Sequence, residues 1–301
     1  MSDDCVVFQA VDETHWITTI LQSLDRLSLS KKAKKGRTVQ IVIDKDVKKS
    51  DLTPVHMVLL ACFFESLERL NYNDLWACIE NRDLSDFLFK DLQLAAYFSD
   101  DNRIAHYDAP DKHIHNLWKI EAGKEKGYSD SVSAYFRRNY FQGKDISAFQ
   151  NALDEVYLNI ADHAEAAGVA FSYVSYDEEQ QRIHVAVCDF GLGIPTTLKA
   201  KYPTKYFNDQ EALRDALEFG ISAQTHTHNR GFGLDNVVSS LSGCDCLKIV
   251  SNKAELRCAA NKNPISIFPL NFDFTGTLVY FEVSIDSFPL EEDTLNDVII
   301  G

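Results

Sequence analysis

The sequence has few basic residues, and this shortage limits the partners that the protein can bind. Lysine and arginine number 30 against 45 aspartate and glutamate residues, so the formal net charge is −15. Nucleic-acid binding depends on lysine and arginine contacts to phosphate, so this charge argues against nucleic acid as the main partner. The one basic cluster, residues 31–37, is typical of a solvated loop.

Long apolar runs are also missing. No stretch is long enough to cross a bilayer and the chain does not start with a signal peptide, so we expect no membrane association and a cytoplasmic location. Several of the seven cysteines lie in apolar runs, as Cys62 and Cys188 do, which is typical of reduced core residues. Cys244 and Cys246 lack a second pair at ligand spacing, so we expect a structural role rather than a zinc site.

The chain is long enough for two domains. Its 301 residues are 45% hydrophobic and 25% charged, which is an ordinary globular composition, and no internal repeat is visible. Acidic residues, glycine and proline interrupt any regular period between residues 99 and 130, which predicts a connector there. We therefore expect a smaller α/β domain with its connector at residues 1–125 and a second domain at residues 126–301.

Strands and a helix alternate in the first half of the chain. Residues 39–44 and 75–79 are predicted strands, and an apolar helix runs through residues 56–64 between them. Thr53 and Pro54 are typical of the start of that helix. This alternation predicts an α/β layer.

The most informative stretch is residues 155–163, with the sequence EVYLNIADH. A helix turns about 100° per residue, so Glu155, Asn159 and His163 remain neighbours along one side, next to a separate apolar stripe. Ser147 and Gln150 fit a capping box that would start this helix. An ordinary amphipathic helix with a solvated edge has the same pattern, so the interpretation needs further motifs.

A second motif is an apolar strand at residues 183–188 followed by D-x-G-x-G at Asp189, Gly191 and Gly193. A carboxylate at the end of a buried strand is costly to desolvate unless it meets a donor, and the exocyclic amine of adenine is such a donor. The glycines let the backbone approach a flat base closely, although a common turn has the same pattern. The Asp-Phe-Gly triplet does not indicate a protein kinase fold, because the glycine-rich loop, strand lysine motif and His-Arg-Asp loop are missing.

Two more motifs follow in the second half. Arg230 precedes a G-x-G-L formed by Gly231, Gly233 and Leu234, and free backbone N–H groups where such a turn opens a helix suit phosphate oxygens. A Gly-Thr pair then leads the predicted strand at residues 274–283, and the Thr277 hydroxyl can join the strand-end aspartate at the edge of a base. Alone, the G-x-G-L motif is weak evidence for a phosphate site. The Gly-Thr pair is equally compatible with the start of a plain edge strand.

The four motifs, in this order across residues 147–285, resemble the GHKL family of ATP-binding domains. That family unites histidine kinases, anti-sigma-factor serine kinases, gyrase and mismatch-repair ATPases, and a class of ATP-dependent chaperones. The resemblance covers roughly the C-terminal half. It implies a two-layer α/β sandwich of the GHKL type that binds Mg-ATP beneath a lid formed by residues 196–229.

The resemblance also implies roles at the matching positions. Glu155 would be the general base, Asn159 would bind Mg²⁺, and His163 would line the same side of the site with no assigned role. Asp189 would bind adenine. The other expected nucleotide-binding residues are Gly191, Gly193, Arg230, Gly231, Gly233, Leu234 and Thr277.

Missing parts separate the branches of the family. No long heptad pattern with a phosphoacceptor histidine precedes residue 146, so we do not expect a classical histidine autokinase. The chain ends soon after its last predicted strand, so we expect no further domain to deliver a cation to the γ-phosphate, and turnover would be slow or completed by a partner.

The helix motif matches the anti-sigma-type serine kinases best. Their substrates are small α/β proteins of the STAS class, which the N-terminal half is similar to in pattern only. Thr53 stands roughly where such proteins carry their phosphorylated hydroxyl, but Thr followed by Pro is also an ordinary helix cap, which we favour. Pro54 replaces the small residue expected there.

We therefore expect a regulatory protein that requires ATP and Mg²⁺. It would hydrolyse ATP slowly or transfer the γ-phosphate to a protein Ser/Thr hydroxyl, as an ATPase or a protein serine/threonine kinase. The alternatives are a non-catalytic switch in which nucleotide controls partner binding, and a relic fold used as a scaffold. We expect a protein partner or substrate, and the family analogy adds a homodimer.

Overall fold

The computed structural model of the protein describes residues 4–9, 12–29, 37–72, 74–98, 104–121, 124–163, 169–218, 244–259 and 262–291. Within these ranges the chain is a mixed α/β protein with one three-stranded and one five-stranded sheet, which confirms the expected α/β class. No helix in the described ranges is long and apolar enough to cross a membrane.

The first sheet is parallel and has the strand order β1-β2-β3. Parallel strands need crossover connections, and two helices supply them. The strands and the second helix lie where the sequence predicts them, with Thr53 at the N-cap of that helix. The elements are β1 (Cys5–Phe8), α1 (Glu13–Leu29), β2 (Thr38–Ile43), α2 (Pro54–Arg69) and β3 (Asp74–Ile79).

Helix α2 is buried on nearly all sides. An unbroken run from Pro54 to Phe64 is buried, and a helix that is apolar all round belongs in a core. Its side chains share one hydrophobic cluster with β1 and β2 and with Phe171 and Ala186 of the five-stranded sheet. Helix α2 therefore lies between the two sheets and packs on both.

The five-stranded sheet is antiparallel and has the strand order β4-β5-β6-β8-β7. Alternate residues of β6 point to opposite faces, as a strand requires. Val185 and Val187 enter the core shared with the later helices, while Ala186 and Cys188 enter the core shared with α2. The remaining elements are α3 (Arg82–Asp86), β4 (Ile114–Glu121), α4 (Glu125–Asn139), α5 (Ser147–His163), β5 (Val169–Asp177), β6 (Arg182–Asp189), α6 (Ile194–Lys201), α7 (Asp209–Glu218), β7 (Cys244–Ala259) and β8 (Lys262–Ser284).

One strand was not predicted, and another begins earlier than predicted. Strand β4 lies inside the segment predicted as a connector, yet it pairs with β5 in the five-stranded sheet. Breaker residues on both sides hide its pattern in the sequence. Strand β8 begins at Lys262 rather than near residue 274, because its first half pairs with the second half of β7 in a long hairpin. The division at residues 125 and 126, and the two-layer GHKL sandwich, stay predictions.

The predicted capping box of α5 is wrong. The helix does begin at Ser147, but the carbonyl of Ile146 accepts the first helical hydrogen bond from the Gln150 backbone N–H at 3.0 Å, so Ile146 is the N-cap. The side chain of Asp145 accepts the Ser147 N–H at 2.9 Å. Hydrogen bonds from Ser147 lower the pKa of Asp145. The Gln150 side chain instead donates to Asp130 of α4 at 2.5 Å.

Candidate functional site

The last residue of β6, Asp189, is fully buried. Its Oδ1 accepts the Gly191 N–H at 2.6 Å and its Oδ2 accepts the Thr277 N–H at 3.1 Å. Burial raises the pKa of Asp189 to about 7, and the two N–H groups offset only part of this effect. A carboxylate has about four acceptor positions, so one further donor can still be accommodated.

Two glycines with positive φ hold the backbone around this carboxylate. Gly193 has a φ of 83°, and a Cβ at that position would lie 2.6 Å from Asn252 Oδ1. Gly276 has a φ of 116°, and its Cβ would overlap the backbone of Asp189 itself. The strand-end turn and the bulge in β8 therefore approach each other so closely that both positions need glycine.

The structure changes the expected role of Thr277. Its backbone N–H, rather than its hydroxyl, is the group that contacts Asp189. The Thr277 Oγ1 lies 3.3 Å from the Oγ of Ser251 on the neighbouring strand β7. Thr277 thus contacts Asp189 through its main chain, and its part in nucleotide binding stays a prediction.

Sequence reasoning missed Ser251 and Asn252, which fasten the D-x-G-x-G turn to the sheet. Ser251 Oγ accepts the Ile194 N–H at 3.0 Å and donates to the Gly276 carbonyl at 2.8 Å. Asn252 Nδ2 donates to the Leu192 carbonyl at 3.1 Å. A polar Ser-Asn pair in the middle of β7 was the available signal, and Asn252 has the positive φ, 48°, that asparagine tolerates better than most residues.

Helix α5 brings Glu155 and Asn159 together, as their spacing predicts. The Asn159 side-chain nitrogen donates to Glu155 Oε1 at 2.9 Å and to the Glu155 carbonyl at 2.9 Å. Both residues are half-buried. With the nitrogen held in this way, the amide oxygen is the Asn159 atom that can ligate a cation. His163 is the last residue of the helix, and its side chain lies outside the described part of the structure.

Two contacts fix the direction in which α5 crosses the sheet. Near its start, the ring of Phe149 lies 6.4 Å from that of Phe281 on β8. Further along, the Tyr157 hydroxyl lies 2.9 Å from the Oγ of Ser172 on β5. Both contacts are buried, so they are part of the core that holds the helix in place.

These contacts show that α5 runs towards the end of β6 that carries the buried aspartate. Phe281 pairs with Val185 of β6, whereas Ser172 pairs with Val187, two positions closer to that end. Asn159 follows the second contact by two residues, so it lies further in the same direction. The structure therefore brings Asn159 of α5 and the D-x-G-x-G turn towards the same end of the sheet.

The described part of the expected lid belongs to the packed core. Leu198 of α6 and Leu213 and Leu217 of α7 are buried in the same core as α5, on the face of the sheet opposite α2. Asp209 ties α7 to the same layer, because it pairs with Lys199 of α6 and accepts the Lys253 N–H of β7 at 3.0 Å. Residues 219–229 of the predicted lid, and the predicted phosphate-binding residues Arg230, Gly231, Gly233 and Leu234, lie outside the described residues.

No protein-family model matches the chain, and no match to a curated protein was found. The GHKL assignment therefore stays a prediction from the four sequence motifs.

Proposed function

We propose that the protein binds Mg-ATP at this end of the five-stranded sheet, beside Asp189, and acts as a regulatory ATPase or protein serine/threonine kinase of the GHKL type. The observation that supports the proposal most is the hydrogen bond from Asn159 to Glu155 on the helix that runs towards Asp189. The pair combines an amide oxygen for a cation and a carboxylate for a proton within one helical turn.

The available ligand fits Mg²⁺. This ion prefers oxygen ligands, keeps several waters and is usually held by one or two protein groups together with substrate phosphates. A single amide oxygen on Asn159 meets that requirement, and a larger cluster is not needed. Among the described residues, no group of three or more His, Cys, Asp and Glu side chains could hold a metal. When bound, Mg²⁺ would neutralise charge on the phosphates.

Glu155 is the proposed general base. Its carboxylate accepts the proton of the attacking water or protein hydroxyl while the new bond to the γ-phosphorus forms and the bond to ADP breaks. Asn159 contributes by holding one carboxylate oxygen in a fixed position at 2.9 Å. A base held by a neighbouring donor loses less orientational freedom in the reaction.

Asp189 is the proposed adenine-binding residue. Its two oxygens each receive one backbone N–H, which leaves acceptor positions for the exocyclic amine of adenine. A third donor compensates further for the cost of burying the charge. Binding of adenine would therefore favour the ionised carboxylate.

Incubation of the full chain with Mg²⁺ and γ-labelled ATP tests the proposal, with free phosphate and protein-bound label followed together. Glu155→Gln preserves the acceptor for Asn159 but cannot take up a proton, and Glu179→Gln, on the exposed β5–β6 turn, is the matched control. We expect product that is lost in Glu155→Gln and unchanged in the control. Free phosphate would identify an ATPase, and label on the chain or on added partner would identify a kinase. Failure to bind ATP at all would overturn the proposal.

A second candidate function is a nucleotide-dependent switch without turnover, and one contact favours it. Cys62 of α2 donates its thiol hydrogen to the carbonyl of Cys188 at 3.2 Å, directly before Asp189. The N-terminal half therefore touches the strand end that would bind adenine. A switch predicts nucleotide binding, negligible product, and partner affinity that depends on nucleotide.

A further inference from the structure

A cleft lies on the face of the five-stranded sheet that is opposite α5. It has a volume of about 650 Å³, which is within the usual size range of small-molecule sites. Its walls are α1, the end of α2, and the segment of β8 that leads to Gly276. Phe190, the residue after Asp189, forms part of the same wall.

Part of the lining of the cleft is apolar. The apolar side chains pack against the hydrophobic cluster around α2 but are only partly buried there, so they retain apolar surface that a ligand can cover. Two of them, Phe190 and Phe272, present aromatic rings. The other apolar ones are Leu21, Leu24 and Leu70, and the uncharged polar lining residues are Gln22, Ser28, Ser66 and Thr275.

The charge at the rim of the cleft is negative. Asp25 of α1 and Asp273 of β8 line it from opposite walls, and both are exposed. Neither carboxylate forms an ion pair with another described residue. Among the lining residues that the structure describes, Arg69 is the one cation, so the two carboxylates outnumber it; it lies 3.5 Å from the carboxylate of Glu65, which Lys119 also contacts at 2.8 Å.

We infer that this cleft is a second small-molecule site, which binds an organic cation with an apolar body, such as an amine attached to an aromatic ring. The ammonium group would be attracted by Asp25 and Asp273, and the apolar body would cover the leucine and phenylalanine side chains. Aromatic rings add a further preference for a cation over an anion or a neutral group, because the face of a ring carries negative partial charge.

The position of the cleft couples it to the proposed nucleotide site. An occupant would contact Phe190 and Thr275, which are the chain neighbours of Asp189 and Gly276. The backbones of Asp189 and Gly276 are in close contact, so a shift of either neighbour changes the surroundings of the buried carboxylate. Occupancy of the cleft is therefore expected to change ATP affinity. This coupling, unlike the binding itself, rests on the proposed function.

Binding is tested with 2-phenylethylamine and with 3-phenylpropionate, which has the same ring but the opposite charge. Calorimetry on the full chain without nucleotide should show the amine binding at least about tenfold more tightly. The Asp25→Asn/Asp273→Asn double variant should lose that preference, whereas the Asp46→Asn/Asp83→Asn variant, also at exposed positions, should keep it. Equal binding of the two compounds, or an unchanged preference in the first variant, would overturn the inference.

Coupling is tested by titrating ATP with and without saturating 2-phenylethylamine. We expect the ATP affinity to change by about fivefold or more. Unchanged affinity would disprove the coupling. A chain that binds the amine but not ATP would keep the second site and defeat the proposed function, so the two failures can be distinguished.

Discussion

The side-chain nitrogen of Asn159 donates to the carboxylate of Glu155 across one turn of α5, with a distance of 2.9 Å. In the proposed function the two members of this pair have different chemical tasks. The bond fixes the amide so that its oxygen is available to a cation, and it fixes the carboxylate that would take up a proton. Loss of Asn159 should therefore affect the Mg²⁺ dependence of ATP binding, and loss of Glu155 should affect turnover.

Replacement of Asn159 by alanine should remove the effect of Mg²⁺ on ATP binding. ATP titrations with Mg²⁺ and with a chelator should differ in the native chain and agree in Asn159→Ala, with an affinity loss of about tenfold or more in the presence of Mg²⁺. Asn139→Ala is a matched control, because Asn139 of α4 also donates to the carbonyl four residues earlier, at 2.8 Å. Equal Mg²⁺ dependence in all three proteins would contradict the role of Asn159.

ATP affinity should depend on pH through Asp189. In the proposed site the exocyclic amine of adenine donates to the ionised carboxylate, and burial raises the pKa of Asp189 to about 7. Affinity should therefore level off about one unit above pH 7 and fall by up to about tenfold for each pH unit below pH 7. Titrations between about pH 5.5 and about pH 8 provide the measurement, and Asp189→Asn should bind ATP weakly with no such pH dependence.

The same group should have the opposite effect on stability without nucleotide. The pKa of Asp189 is raised by folding from 3.8 to about 7, so the folded state binds more protons than the unfolded state between these values. The free energy of unfolding contributed by this group therefore falls as pH rises through that window. Urea unfolding of native and Asp189→Asn chains across the window measures the difference, and a native profile that rises relative to the variant would oppose this assignment.

Gly276→Ala should be strongly destabilising. A Cβ there would overlap the Asp189 backbone, and the φ of 116° is unfavourable for alanine, so we expect a loss of about 3 kcal/mol or more in the free energy of unfolding. Gly127→Ala in α4 provides the contrast, because no atom lies within 4 Å of the added Cβ. That variant should gain about 0.5 to 1 kcal/mol from helix propensity. Similar unfolding midpoints for the two variants would contradict the packing at Gly276.

The ion pair between Glu65 of α2 and Lys119 of β4 should stabilise the contact between α2 and the five-stranded sheet. The charged atoms lie 2.8 Å apart, and the side chains are only 12% and 14% exposed. Glu65→Gln leaves the lysine charge uncompensated in a partly buried position, and we expect a cost of about 2 to 3 kcal/mol. Arg69→Gln removes a more exposed partner of Glu65 at 3.5 Å and should cost less than about 1 kcal/mol. Equal costs by denaturant unfolding would show that burial is not the deciding factor.

Local patterns in the sequence identified the elements that carry the site. The stripe of α5 and the apolar run of β6 each follow one clear period, so Glu155, Asn159 and Asp189 could be placed from the sequence. The contacts of Ser251 and Asn252 join residues that are about sixty positions apart, and no local period reports such a pairing. Strand β4 was missed because its eight residues lie between breaker segments.

The start of α5 shows a second reason for error. Ser147 and Gln150 have the spacing of a capping box, but the Gln150 side chain has a better partner in Asp130 of α4. A tertiary contact thus overrides a local signal of about 1 kcal/mol. In the same way, only the fold reveals that Thr277 contacts Asp189 through its main chain.

The burial of α2 on both sides has a consequence for any attempt to divide the chain. Its residues fill one core that includes strands from both sheets, so a cut near residues 122 and 123 would expose apolar surface on each fragment. The N-terminal fragment would lose the sheet that covers one side of α2, and the C-terminal fragment would lose β4 and the cover over Phe171. Because β4 lies before the cut and the core around α2 includes strands of both sheets, neither fragment would keep a complete interior.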